Sequence, residues 1–356
     1  MNLVAIFPLF VLALSIILNL LSFAEKRKVI CVIFFVGSAL LIGLRSVHTA
    51  GTDTFYVYEP IFNQLQDLSI VDTISHYLLR DPLFYLFTKL FTLISLDFHV
   101  YIFLIALFVS GSISYFIYKY SSYPILSFAL FMLFQYFGFE FQMLKHSIAF
   151  SILLFSYPYL LDRKLRYFVG IVVLAGLFHI SALVFLISYF VSKIKPHAFH
   201  LVFFIFFSVA ILVFRDEILA LLEIMFQGDR FQMYFSASYD GRLSLTGFFI
   251  AITVFLLAFF VTPKKYWSDK VFVVLFNLSY LSCLILLGVV IFGESVRVSM
   301  FFGMGSLLFL PFAIEKSSLA FKYQAVGLIS FICILHFIFF GIENAGLSNY
   351  VFFWQE

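Results

Sequence analysis

Long apolar segments follow one another along almost the whole chain, separated by short polar loops. Of the 356 residues, 63% are hydrophobic and only 12% are charged, whereas a soluble domain is roughly half apolar and about a quarter charged. A soluble fold could not bury this much apolar surface, so lipid must be the solvent for most of it. We therefore expect an all-α polytopic integral membrane protein, with a single transmembrane domain over residues 1–356. The apolar segments are roughly 2–24, 29–44, 82–96, 99–118, 124–141, 146–161, 167–192, 197–214, 246–261, 271–292, 298–314 and 323–341.

The basic loops fix the direction of the predicted passes. Loops on the cytoplasmic side of a membrane carry the excess of Lys and Arg, and this chain has basic loops at 25–28, 162–166, 193–195, 262–270 and 315–322. Placing all of them inside predicts about 12 transmembrane passes with both termini outside. It also predicts two sizeable outer-face loops, about 45–81 and 215–245.

Segment 82–96 is predicted to lie in the membrane interface. If it crossed the membrane, the basic loop at 162–166 would be outside. Polar side chains recur at helical spacing on one face of this segment, and apolar side chains occupy the other. This pattern is typical of an interfacial helix, so we expect it to rest on the outer surface. The polar side chains are Tyr85, Thr88, Lys89, Thr92 and Ser95.

Segment 167–192 is predicted to be a hairpin of two short helices that meet near His179. As a single span it would place two basic loops outside, whereas two short helices keep every basic loop inside. Each half has about 12–14 residues, or roughly 20 Å of helix, against a hydrocarbon core of about 30 Å. The turn at 178–181 must therefore be buried in protein or face a wet cavity, because lipid does not tolerate irregular backbone.

The cations sort by type across the predicted membrane. All of the lysines except Lys89 and Lys145 fall on the cytoplasmic side, whereas six of the nine arginines fall outside. Because guanidinium binds phosphate with two parallel hydrogen bonds, these arginines suggest a polyanionic ligand at the outer face. The alternative is that each one pairs with a nearby carboxylate, as sequence neighbours suggest for Arg80, Arg215 and Arg230. The outer arginines are Arg45, Arg80, Arg215, Arg230, Arg242 and Arg297.

Further polar residues of the outer side are candidates for chemistry. Asp53 could accept a proton from a sugar hydroxyl, or it could cap the helix predicted to start at Thr54. Lys145 and His146 lie where the chain re-enters the membrane, a position where ionisable residues are usually functional, although a lysine can also snorkel to the interface. His179 could act as a general base or bond to the backbone of its turn.

Motifs for metal or nucleotide chemistry are absent from the sequence. It contains no HExxH, no DxD, no Cys/His cluster with ligand spacing and no P-loop. We expect a metal-independent protein with no cofactor and no nucleic-acid partner, since the net charge of +3 is scattered between the spans.

The order of these motifs resembles the EpsG-like branch of the Wzy polysaccharide polymerases over nearly the whole chain. Members of that family typically carry an early Arg, a Gly-Thr-Asp turn, an Arg-Gln re-entry, a Phe-His-x-Ser-Ala-Leu turn and a late Arg. This chain has Lys145-His146 in place of Arg-Gln. The matching residues here are Arg45, Gly51-Thr52-Asp53-Thr54 with Tyr56 and Tyr58, Asp81-Pro82-Leu83-Phe84-Tyr85, Lys145-His146-Ser147-Ile148-Ala149, Phe178-His179-Ile180-Ser181-Ala182-Leu183 and Arg297.

The resemblance implies a membrane glycosyltransferase that joins oligosaccharide repeat units carried on undecaprenyl pyrophosphate. It would act at the periplasmic face of the bacterial inner membrane, in an O-antigen, capsule or exopolysaccharide pathway, with a chain-length regulator as a possible partner. In that reading His179 or Asp53 is the catalytic base. Substrate contacts would come from Arg45, Lys145, His146, Arg230, Arg242, Arg297 and Tyr56.

Two other functions fit part of the pattern. A flippase or transporter of lipid-linked sugars would also need outer arginines, but it should show pseudo-symmetric halves, and the polar residues here are concentrated on one side. An O-antigen ligase would share the cationic site and differ in its acceptor. These alternatives stay open at the level of sequence.

Overall fold

The computed structural model describes residues 3–17, 23–225, 241–291 and 293–355. Within them the chain is a succession of helices, and an isolated antiparallel bridge joins Arg45 to Phe352. The chain divides into two compact units, residues 1–183 with 319–356 and residues 184–318. The all-α membrane class predicted from the sequence is confirmed.

The first unit contains most of the predicted site residues. Its helices are α1 Leu3–Ile17, α2 Phe23–Gly43, α3 Glu59–Asp67, α4 Ile70–Tyr77, α5 Pro82–Thr92, α6 Phe98–Tyr120, α7 Pro124–Leu133, α8 Tyr136–Glu140, α9 Leu144–Leu154, α10 Tyr157–Leu161 and α11 Leu165–Phe178. After the second unit the chain returns with α19 Lys322–His336 and the short α20 Ile342–Asn344. Helix α2 packs along α6, α9 contacts both α6 and α11, and α5 packs against α3, α4 and α11.

The second unit contains α12 Ile187–Val191, α13 Ala198–Val213, α14 Arg215–Met225, α15 Gly241–Val261, α16 Lys270–Leu287, α17 Ser295–Met300 and α18 Gly303–Lys316. Helices α16 and α18 pack closely: a Cβ added to Gly305 would lie 2.5 Å from the Leu278 side chain. Small residues let membrane helices approach in this way.

Among the described residues, three helices are long and apolar enough to cross a membrane: Phe98–Tyr120, Lys270–Val290 and Lys322–Asn344. Shorter apolar helices of 10–17 residues account for most of the other predicted passes. The count of about 12 passes and the single domain over 1–356 remain predictions. The predicted outer loop 215–245 begins as helix α14, and its residues 226–240 lie outside the described part of the chain.

Helix α11 ends at Phe178, as the basic-loop argument predicts. His179 has extended backbone angles (φ −155°, ψ 110°), and a tight helical segment, Ile180–Leu186, follows it. The predicted interruption at 178–181 is therefore confirmed. It leaves α11 with 14 residues, about 21 Å of helix, which is less than a hydrocarbon core of about 30 Å; that the chain reverses here as a hairpin stays a prediction.

Helix α5 has the two faces that the sequence indicates, but its polar face does not point towards water. Thr88 is 1% exposed and its hydroxyl lies 2.6 Å from that of Tyr101. Lys89 is 4% exposed and donates to the backbone oxygens of Leu65 and Gln66 at the end of α3. The last carbonyls of a helix have no partner within it, so this buried ammonium satisfies them.

Only part of the apolar side of α5 is exposed. Phe87 and Leu90 are 40% and 45% exposed, and Leu93 and Ile94 just after the helix are 60% and 85% exposed, whereas Phe84 and Phe91 are 1% and 7% exposed. The polar stripe is buried because Tyr101 of α6 and the end of α3 supply it with polar partners, and the position of α5 in the membrane interface stays a prediction. A helix of 11 residues reaches only about 17 Å, which agrees with the prediction that α5 does not span the membrane.

Candidate functional site

Asp81 has an unusual backbone conformation immediately before α5. Its φ of 52° and ψ of 53° place it in the left-handed region, and its side chain makes no capping hydrogen bond to α5. Asp tolerates this region better than most residues, but it is costly without compensation. Pro82 then starts α5 with the φ that a first helical turn requires. Strained backbone of this kind clusters at functional sites, and here its consequence is a carboxylate directed at other segments.

The Asp81 carboxylate joins the starts of α5 and α9 to the interruption after α11. Oδ2 lies 3.1 Å from Nζ of Lys145, and Oδ1 accepts a hydrogen bond from the backbone N–H of Ile180 at 2.9 Å. Nδ1 of His179 lies 3.7 Å from the same Oδ1. Two site residues predicted from the sequence, Lys145 and His179, are therefore brought together by a third residue. We call Asp81, Lys145 and His179 the Asp81 cluster.

The Asp81 cluster is partly buried but not closed. The side chains of Asp81 and Lys145 are 13% and 14% exposed, and that of His179 is 24% exposed. Burial alone would raise the pKa of Asp81, but His179, the charge of Lys145 and the Ile180 N–H outweigh it and lower the pKa to about 2. The carboxylate therefore stays ionised at any physiological pH, as opposite charges and donors to the charged form require.

Aromatic side chains surround the Lys145 ammonium. Nζ donates to the hydroxyl of Tyr85 at 2.9 Å and lies 4.2 Å from the centre of the Tyr85 ring and 5.1 Å from that of Phe84. Tyr85 is in turn stacked on Tyr77 of α4, with ring centres 3.7 Å apart. These contacts hold the flexible Lys145 side chain in place, so that little further side-chain entropy is lost when a ligand binds to it.

His146 lies one residue after Lys145 and behind His179. The two imidazole rings are 5.8 Å apart, and His146 is 3% exposed. Of the two histidines, His179 is therefore the one that a substrate can reach in this structure.

Arg45 is the most completely buried large side chain among the predicted site residues, at 0% exposed. Nε donates to the Ala50 oxygen at 3.2 Å, and Nη2 donates to the Phe141 oxygen at 2.7 Å and to the Thr54 hydroxyl at 3.0 Å. Nη1 bonds to the Ile42 oxygen. The guanidinium thus holds the end of α2, the Gly-Thr-Asp-Thr turn and the chain after α8 together.

The Gly-Thr-Asp-Thr turn requires its glycine. Gly51 has φ 97°, and a Cβ there would lie 2.2 Å from the Phe141 oxygen. The Thr54 hydroxyl donates to that same oxygen at 2.8 Å. The close approach of the turn to residue 141 depends on a residue without a side chain.

Asp53 and Tyr56 extend from this turn. Asp53 is partly exposed and makes no capping hydrogen bond to the helical turn at Thr54–Tyr58, so the capping role considered for it is not observed. Tyr56 is 73% exposed and its ring lies 4.8 Å from that of Phe55. Both side chains are accessible to a ligand.

The remaining predicted arginines do not belong to the described first unit. Arg297 lies on α17 in the second unit, 3.1 Å from the carboxylate of Glu294 one helical turn earlier. Arg242 begins α15, and its side chain lies outside the described residues, as does the whole of Arg230. Arg215 pairs with Asp216 at 3.4 Å, as its sequence neighbours suggest, whereas the acid beside Arg80 pairs with Lys145.

Sequence reasoning missed the central member of the site. The sequence places Asp81 in a family motif and beside Arg80, but it assigns this carboxylate no role of its own. A second missed residue is Glu140, which is 5% exposed with both carboxylate oxygens lacking a hydrogen-bond partner in the described part of the chain. Over those residues, no group of three or more His, Cys, Asp or Glu side chains is placed to hold a metal ion.

The comparisons with known proteins point to one family. The family model described as "EpsG family" matches residues 28–352. No curated protein and no solved structure gives a significant match to the chain. The matched range contains the Asp81 cluster, Arg45 with the Gly-Thr-Asp-Thr turn, and Arg297.

Proposed function

We propose a function for this chain from the premise that it belongs to the EpsG family, a family of Wzy-like polysaccharide polymerases. Its reaction is the transfer of a growing glycan from a lipid pyrophosphate onto the next lipid-linked repeat unit. The lipid is undecaprenyl, and the site faces the periplasm from the bacterial inner membrane. The observation that carries the proposal is the Asp81 cluster, in which an ionised carboxylate lies within 3.1 Å of Lys145 and 3.7 Å of His179.

The proposed reaction breaks one bond and forms another at the same sugar carbon. The acceptor hydroxyl oxygen attacks the anomeric carbon of the donor, and the bond from that carbon to the pyrophosphate oxygen breaks. The pyrophosphate leaves with the electron pair, and the hydroxyl proton passes to a base. The protein must therefore supply a proton acceptor and positive charge for the leaving group.

His179 is the base in this proposal. Nδ1 of His179 lies 3.7 Å from Oδ1 of Asp81, and in this proposal the two close to hydrogen-bond distance when substrate binds, which favours the tautomer that carries its proton on Nδ1. This leaves Nε2 free of a proton and able to take one from a hydroxyl, the same division of roles that operates in Asp–His pairs of hydrolases. Asp53, at the neighbouring turn, is the second candidate base.

Cations hold the leaving pyrophosphate. Lys145 is the candidate in the described first unit, and roles for Arg297, Arg242 and Arg230 stay predictions from the sequence. Fixed cations in a partly dry site stabilise developing negative charge better than water does.

Arg45 has a positioning role in this proposal. The sequence predicts that it contacts the pyrophosphate, but each donor described for its guanidinium is directed at a protein oxygen. A direct contact would break those bonds in a buried site. We therefore assign Arg45 to holding the turn from which Asp53 and Tyr56 reach sugar hydroxyls, with His146 supporting His179 from behind.

The experiment that tests this function is deletion of the gene, followed by gel analysis of the surface glycan. We expect the ladder of chain lengths to collapse to a single repeat unit. Loss of that single-unit band as well would indicate a flippase or a ligase instead. An unchanged ladder would contradict all three functions.

A further inference from the structure

An exposed apolar surface begins beside the Asp81 cluster. Phe87 and Leu90 lie on one side of α5, 40% and 45% exposed. Helix α11 packs against α5, and the ring of its last residue, Phe178, lies 6.3 Å from that of Phe87. Leu174, one helical turn before Phe178, is 43% exposed. We call these four residues the α5–α11 ledge.

The ledge and the cluster are continuous through the backbone. Phe178 is followed directly by His179, and Phe87 is less than two helical turns from Asp81 at the start of α5. One end of the surface is therefore polar, with an accessible imidazole and an ammonium, and the rest is hydrocarbon. A ligand that satisfies both parts is an amphiphile with an anionic head and a long apolar chain.

The contacts of the polar face of α5 explain why Phe87 and Leu90 are exposed. The Thr88 hydroxyl bonds to that of Tyr101, and Lys89 donates to the end of α3. Because these contacts fix the rotation of α5 about its axis, Phe87 and Leu90 stay on the exposed side.

We propose that the α5–α11 ledge binds the first isoprene units of the polyprenyl chain of the lipid-linked substrate, with its pyrophosphate at Lys145. This inference rests on the proposed function, because it takes the substrate from it, but it names a separate part of the molecule. The ledge fixes the depth of the pyrophosphate relative to His179. It thereby places the scissile bond next to the base.

Photo-crosslinking tests the ledge directly. The photoreactive residue p-benzoylphenylalanine is introduced at Leu174 or Leu90 in the purified full-length protein, in vesicles of phosphatidylethanolamine and phosphatidylglycerol with radiolabelled undecaprenyl pyrophosphate. Matched control positions are Leu40 of α2 and Ile332 of α19, which are 43% and 55% exposed. We expect at least fivefold more label at Leu174 and Leu90 than at the controls, and competition by unlabelled undecaprenyl pyrophosphate but not by inorganic pyrophosphate. Equal labelling at all four positions would mean contact with bulk lipid only and would overturn the proposal.

A second measurement does not depend on crosslinking. The double variant Leu90→Ser with Leu174→Ser is assayed with a donor on the long polyprenyl chain and with a donor on a ten-carbon chain. The ledge predicts at least a tenfold rise in KM for the long-chain donor and little change for the short one, whereas Leu40→Ser changes neither. An equal change for both donors would contradict it.

The ledge and the polymerase function can fail separately. If the gene-deletion ladder stays normal while labelling is still selective, the polymerase function fails but the lipid-binding ledge stands. Uniform labelling with a collapsed ladder refutes only the ledge.

Discussion

Oδ2 of Asp81 lies 3.1 Å from Nζ of Lys145, although 64 residues separate the two in the chain. The contact ties the start of α5 to the start of α9, and the second oxygen of the same carboxylate holds the backbone just after His179. One side chain therefore fixes the relative positions of a cation and an imidazole. The proposed chemistry depends on that arrangement.

Replacing Asp81 with Asn is expected to destabilise the protein. The pKa of Asp81 is lowered to about 2, against roughly 3.9 for an unperturbed aspartate. Stabilisation by the carboxylate is therefore fully present above about pH 4 and is lost as the pH falls through 2. We expect Asp81→Asn to cost about 2 kcal/mol, since breaking a partly buried ion pair leaves a charge behind.

The measurement is thermal unfolding in detergent at pH 8 and pH 9, with the exposed Asp67→Asn as control. The loss should be equal at the two pH values, because the wild-type carboxylate is fully ionised at both. A loss that differs between them, or one matched by Asp67→Asn, would argue against an ion pair of this kind.

Lys145 is expected to accept substitution by arginine but not by an apolar residue. Guanidinium keeps the positive charge and binds phosphate at least as well as ammonium does. Complementation of a deletion strain should give a ladder with Lys145→Arg, and at least a hundredfold lower polymerisation rate with Lys145→Met. A normal ladder from Lys145→Met would remove this residue from the site.

Arg45 is expected to matter for folding more than for chemistry. Its guanidinium satisfies buried oxygens of Ala50 and Phe141, and lysine has the charge but not the fork to reach both. We expect Arg45→Lys to cost about 2–4 kcal/mol, from buried acceptors left without donors. Thr54→Val, which removes one donor to Phe141 and one of the acceptors of Arg45, should cost less, about 1–2 kcal/mol. Unfolding curves that leave Arg45→Lys unchanged would instead favour direct substrate binding.

Glu140 is expected to reduce stability in the wild type. Its carboxylate is buried, with no hydrogen-bond partner for either oxygen in the described part of the chain, and a buried polar group without partners is costly. Glu140→Met, of similar length and apolar, should raise the melting temperature by a few degrees. A lower melting temperature would show that this carboxyl is paired.

The membrane class and the break at His179 could both be predicted from the sequence. The first follows from the apolar content of the chain, and the second from the number of passes that keeps every basic loop on one side. Basic loops must lie on one side, and only an interruption in 167–192 allows this. The same reasoning could not orient α5, since the polar stripe is explained by partners such as Tyr101 that lie elsewhere in the chain. Hydrophobic pattern identifies two faces but not which one meets protein.

Only some residues of the candidate site could be predicted, because the sequence shows which residues are unusual but not which distant segments they contact. Lys145 and His179 are unusual residues for their positions, so the sequence marks them. Asp81 is unremarkable until its left-handed backbone is seen, and the partner of Arg45 is a set of carbonyls that no side-chain pattern reveals. The pairing of Arg297 with Glu294 is compatible with their spacing of three residues, but acidic partners are expected from the sequence only for Arg80, Arg215 and Arg230.

The most direct test of the account is the rate of repeat-unit transfer by purified His179→Ala protein in lipid vesicles. Removing a general base lowers a reaction rate by about 10²–10⁴-fold. We predict a fall of that size in kcat, with donor KM within about threefold of wild type and unfolding unchanged, because His179 is partly exposed and at a turn. Transfer at the wild-type rate by folded His179→Ala protein would contradict the central claim that the Asp81 cluster is the catalytic site.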